Sequence, residues 1–127
     1  ICVMRAIAVS KSELEELLAF QIRAAELPEP EREYRFYPER RFRADFAFPK
    51  HKVLVEIHGG LYVPRSGHRT AKGVLRDMTK ANLAALGGWM YLQFSAKQVQ
   101  DGSALNIIET VLKQQPHNAI NMLWTNQ

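Results

Sequence analysis

Two alternating runs separated by a short polar turn constrain this chain more than any other feature of its sequence. Apolar and polar residues alternate over residues 34–48, and a second alternating run occupies residues 53–58. A period of two belongs to β-strands, whose successive side chains point to opposite faces. Phe42, Ala44, Phe46 and Phe48 are therefore expected on one face, and Arg41, Arg43, Asp45 and Ala47 on the other. In the second run Val53, Val55 and Ile57 oppose Leu54, Glu56 and His58. Residues 49–52, opened by Pro49, read as the turn of a β-hairpin.

Helical patterns flank the hairpin. Ser10 or Ser12 caps a helix reaching about Ala25, with Leu14, Leu17, Leu18 and Ile22 at helical spacing and Glu13, Glu15 and Glu16 in its first turns. Pro28 and Pro30 end it. After the hairpin, Gly59 and Gly60 break the strand and open a loop that lasts to Arg69. Thr70 caps a second helix that stops at Gly87 and Gly88, Trp89 to Phe94 reads as a short strand, and Ser103 caps a last helix ending near Gln115. The predicted class is α/β, a mixed central sheet in the order helix-strand-strand(-strand)-helix-strand-helix. The 127 residues fit one domain, with a core over about residues 12–115 and a tail over 116–127.

Charge narrows the function. Seventeen Lys and Arg against thirteen Asp and Glu give a net +4, which suits a polyanionic partner. Cys2 is the only cysteine, so an intramolecular disulfide and a cysteine-built zinc cage are excluded, and a reducing cytoplasm is expected. No apolar run reaches the roughly 18 residues of a spanning helix, and no export signal is evident, so no membrane partner is expected.

The chemistry concentrates on the polar face of the hairpin. Asp45 and Glu56 lie on neighbouring strands, each opposite its strand's apolar row, so a tight hairpin lets them share one hard cation. Such a cation activates water and stabilises charge developing on phosphorus. His58 projects from the same face as Glu56, either as a ligand or proton-transfer group or as an ordinary strand-end histidine. Arg41 and Arg43, on the face of Asp45, hold phosphates or simply dress an exposed strand. Arg65, His68, Arg69, Lys72, Arg76 and Lys80 then follow against the single acid Asp77. On the second helix, Val74, Met78, Ala81 and Ala85 form the stripe expected to face the core. Gly73, Asp77, Lys80 and Ala84 form another, directed at the site or at water, with Asp77 and Lys80 also placed for a weak i,i+3 pair.

"RFRADFAF" (41–48) followed by "KVLVEIHGG" (52–60) resembles the strand pair of PD-(D/E)XK, or restriction-endonuclease-like, nucleases. The continuation "GHRTAKGVLRDMTKANLAALGGWMYLQFS" (67–95) is similar to very-short-patch-repair endonucleases and their compact phage and bacterial relatives. The resemblance spans roughly Leu14 to Leu112. It implies a restriction-endonuclease-like fold and a DNA endonuclease, acting in repair or recombination, that hydrolyses phosphodiester bonds with a metal-activated water. Asp45 and Glu56 would bind Mg²⁺ or Mn²⁺, and Glu16 would be an accessory acid. His58 stands where the family pattern has Lys. Three repairs follow: His58 takes over part of that role, with His68 as a second histidine; Lys80 supplies the cation; or catalysis has been lost. Arg41, Arg43, Arg69, Lys72 and Arg76 would contact DNA, and a homodimer would allow both strands to be cut. The competing expectation is a catalytically inactive DNA-binding module of the same fold. An HNH or other zinc enzyme lacks the His pair or Cys cluster it needs.

Overall fold

The computed structural model describes residues 9–59 and 71–114. Its elements are α1 (Lys11–Ala24), β1 (Glu31–Arg35), β2 (Arg43–Phe48), a 3₁₀ turn (Pro49–His51), β3 (Val53–His58), α2 (Ala71–Leu86), β4 (Met90–Ser95), α3 (Ala96–Gln100) and α4 (Ser103–Lys113). The four strands form one sheet in the order β1-β2-β3-β4. β1 and β2 pair antiparallel, as do β2 and β3, whereas β3 and β4 run parallel across the α2 connection. The protein is thus a mixed α/β fold.

The first alternating run is divided in two. Pro38 presets the backbone for a turn, closed where the Arg40 N–H donates to the Tyr37 carbonyl at 3.1 Å, and this separates β1 from β2. Two capping boxes start helices. Ser10 and Glu13 exchange side-chain and backbone bonds at the head of α1, and Ser95 and Gln98 do the same for α3, a helix absent from the sequence expectation. α1 stops before its prolines, because Glu26 takes a left-handed φ of 57° and the Leu27 N–H returns to the Ile22 carbonyl. α2 ends in the same motif. Gly88 at φ 80° lets the Trp89 N–H reach the Ala84 carbonyl at 2.9 Å.

Two cores lie on opposite sides of the sheet. Leu14, Leu18 and Ile22 of α1 pack with Phe46, Phe48, Val53, Val55 and Ile57, together with Val99, Ala104 and Ile108 from α3 and α4. The smaller core holds Phe36, Phe42, Ala44, Ala47 and Leu54 under Ala84 of α2. This overturns the expectation that Phe42, Ala44, Phe46 and Phe48 share a face. The alternation breaks at Asp45, where the β1–β2 ladder pairs Arg32 with Phe46 and Tyr34 with Ala44 but omits the pair between them. Glu33, standing opposite that gap, has φ 48°.

α2 is also rotated relative to expectation. Met78 is 56% exposed and Ala85 is exposed, while Ala84, on the other stripe, is fully buried. The reason lies in the site, where Lys80 of that same stripe meets Glu56.

Candidate metal centre

The β2–β3 ladder runs through Phe48↔Val53, Ala47↔Leu54 and Phe46↔Val55 and goes no further. Asp45 and Glu56 would be the next facing pair. There the strands separate, and the Asp45 carboxylate takes the place of a backbone acceptor: its Oδ2 receives the Ile57 N–H at 2.8 Å. β3 continues against β4 through Glu56↔Gln93, Ile57↔Phe94 and His58↔Ser95. Asp45 is 4% and Glu56 7% exposed, so two acids are buried side by side at the point where the strands part. Burial of this kind is costly without compensating cations.

Two ammonium groups supply the compensation. Lys11 Nζ, from the first turn of α1, lies 3.1 Å from Asp45 Oδ1 and 3.6 Å from Glu56 Oε2. Lys80 Nζ donates to Glu56 Oε1 at 2.7 Å, and the Tyr91 hydroxyl donates to the same oxygen at 3.3 Å. Partial burial works against charge on Lys11, but its hydrogen bond to Asp45 and the charges of Asp45, Glu56 and Glu15 outweigh this and raise its pKa. Burial and the nearby Glu56 push the Tyr91 phenol upward as well, so it stays a proton donor. The Lys11 side chain is 45% exposed, whereas that of Asp45 is 5% exposed.

His58, one strand repeat beyond Glu56, bonds through Nε2 to Gln93 Oε1 at 2.8 Å. Its place in the site is therefore at the β3–β4 seam, while the cations on the carboxylates come from helices. Lys80 was legible in the sequence as a candidate; Lys11 was missed. A signal existed, because a lysine in the first turn of a helix opposes the macrodipole and its position calls for another partner. Glu16 points away, its side chain 71% exposed and paired with Arg32 at 3.0 Å. The α1 acid nearest the site is Glu15. It forms a group with Glu33 and Asp45 whose oxygens lie within 4.8 Å of one another. Burial and then the Asp45 charge raise the Glu15 pKa.

The basic residues fall in several places. Arg76 on α2 stacks over the Phe42 ring at 5.1 Å, and Arg41 lines a cavity beside it. Arg43 pairs in register with Arg35 on the exposed end of β2 rather than beside Asp45. Lys72 and Asp77 are exposed on α2. Arg65, His68, Arg69 and the Thr70 cap lie outside the described residues.

The donors around the acid pair fit a hard cation. Asp45 Oδ1 and Glu56 Oε2 already converge on one positive nitrogen, and Mg²⁺ or Mn²⁺ is held by one or two carboxylates completed by water and phosphate oxygens. Comparison of the chain with known protein families, curated proteins and solved structures gives no match. No described helix is long and apolar enough to cross a membrane.

Proposed function

We propose that this protein is a metal-dependent DNA endonuclease of restriction-endonuclease-like architecture, hydrolysing phosphodiester bonds at the Asp45–Glu56 pair. One observation carries the reading: carboxylate oxygens from adjoining strands meet on a single cationic atom, Lys11 Nζ. Asp45 Oδ1 and Glu56 Oε2 would hold Mg²⁺ or Mn²⁺ in its place. Bound there, the ion supplies Lewis-acid stabilisation of the phosphoryl oxygens and a water of lowered pKa.

The chain's own groups do the rest. The Ile57 N–H fixes the Asp45 carboxylate through Oδ2 and leaves Oδ1 directed at the cation position. Lys80 and Tyr91 both hold Glu56 Oε1, which leaves Oε2 toward the position now taken by Lys11 Nζ. Lys11, if displaced from the carboxylates, would remain anchored at the head of α1 with its charge available to a phosphate. Lys80 and Lys11 thus supply the positive charge that the family pattern places at position 58. His58 is held by Gln93 at the end of the strand pair.

The test is plasmid and oligonucleotide cleavage in Mg²⁺ and in Mn²⁺. Glu56→Gln should abolish cleavage and leave DNA binding in place, whereas full activity in that variant would refute the assignment. Lys80→Ala should slow cleavage by roughly 10²- to 10³-fold, the usual effect of removing one charge-stabilising donor, and His58→Ala by less.

One observation favours the alternative reading of a non-catalytic DNA-binding module. Two ammonium groups already balance the two carboxylates, as in a structural ion-pair network. That reading requires DNA binding without cleavage in any divalent ion.

A further inference from the structure

A second charged site lies in the connection between β1 and β2. Glu39, Arg40, Arg41 and Phe42 from this connection and Arg76 from α2 line a cavity of about 270 Å³. Taking about 30 Å³ for each water, this space holds about nine waters, more than a lone ion requires. Three arginines and a single glutamate line it, a net positive charge that an anion would balance.

The cavity is built rather than assembled from loose surface arginines. Phe42 is only 5% exposed, and the guanidinium carbons of Arg40 and Arg76 sit 4.9 and 5.1 Å from its ring centroid. A cation–π contact uses the face of a guanidinium and leaves its in-plane N–H groups directed outward, the geometry that grips a phosphate with two parallel bonds. Arg35 fixes the backbone beneath, its Nε donating to the Arg40 carbonyl at 3.0 Å and its terminal nitrogen to the Pro38 carbonyl at 2.9 Å.

Its position relative to the acids gives the ligand. Arg76 precedes Lys80 by one helical turn, about 6 Å along α2, and Phe42 lies three residues before Asp45, at the entry to β2. We infer that this cavity is a phosphodiester subsite that grips the nucleic-acid backbone flanking the bond held at Asp45 and Glu56. The inference rests on the proposed nucleic-acid partner, though not on catalysis.

The test is fluorescence-anisotropy binding of a labelled single-stranded oligonucleotide, and of its duplex, in Ca²⁺ at several salt concentrations. Wild type is compared with Arg41→Gln, Arg76→Gln, Arg76→Lys and a remote control, Arg23→Gln. Each Gln variant should weaken binding by roughly tenfold, as for loss of a charged hydrogen bond. Each should also reduce the slope of log affinity against log salt by about 0.7 on single strands or about 0.9 on duplex. Arg76→Lys should keep the slope while losing affinity, because the charge remains and the fork is gone. Arg23→Gln should change neither quantity. Unchanged slopes in both Gln variants would overturn the subsite. So would saturation by inorganic phosphate or a mononucleotide with no binding of the oligonucleotide, which would make it a small-anion pocket. Slope losses in a protein that never cleaves would sink the nuclease reading and leave this inference standing. Normal cleavage with unchanged slopes would do the reverse.

Discussion

At the scale of single residues, the account turns on how much positive charge two buried carboxylates require. Lys11 is the more exposed of their two partners, so it is the one that a divalent ion would displace. Lys11→Met should lower stability in a metal chelator by about 2 kcal/mol, the worth of a hydrogen bond to a charged group. Added Ca²⁺ should restore more stability to this variant than to wild type, since ion and ammonium compete; denaturant melts with and without Ca²⁺ check both. The raised pKa of Lys11 fixes the sign of a pH effect. A base whose folded pKa exceeds its ordinary 10.5 contributes stability that is complete below that value and is lost as pH climbs through the folded pKa. Tyr91, also raised, loses its contribution above about pH 10. The alkaline fall in stability should therefore be shallower in Lys11→Met and in Tyr91→Phe than in wild type. Glu15 works in the opposite range. Its raised pKa favours folding when it is protonated, and that advantage disappears as pH rises above its ordinary 4.5. Glu15→Gln should hence stabilise the protein at pH 7 and make no difference at pH 3, as measured by thermal melts at the two values.

At the scale of elements, the caps decide where helices stop. Gly88 holds a left-handed φ of 80°, so Gly88→Ala should cost about 1 kcal/mol or more. Glu26 holds φ 57° without glycine's freedom, and Glu26→Gly should gain about 1 kcal/mol. A pair of urea denaturation curves shifted in opposite directions is the expected outcome; shifts in the same direction would contradict this account of the two helix ends. Much of this was legible in the sequence: a serine cap at position 10 or 12, the double glycine, the hairpin turn and the two acids on facing strands. What escaped was set by contacts distant along the chain. The face switch in β2 depends on Glu33 across the ladder, and no alternation within β2 carries that information. The rotation of α2 likewise could not be read from its own apolar residues. Its Val74–Ala85 stripe is the more hydrophobic, but Glu56 needs a cation, and Lys80 reaches it only when the Lys80–Ala84 stripe faces the sheet. Lys11 escaped for the same reason, because its partners are 34 and 45 positions further along the chain.

At the scale of the whole molecule, the sheet separates two duties. One face carries the large core under α1, α3 and α4; the other, with α2, carries the smaller core. The acid pair lies at the opening between β2 and β3, where α1 sends Lys11 from one side and α2 sends Lys80 from the other. That placement makes the centre sensitive to both layers. It also gives a direct test of the central claim, calorimetric titration of Mn²⁺ or Ca²⁺ into wild type, Asp45→Asn and Glu56→Gln with each fold verified by circular dichroism. The account predicts one saturable site in wild type, weakened or lost in either variant. No binding by the wild-type protein, or undiminished binding when both acids are replaced together, would contradict it.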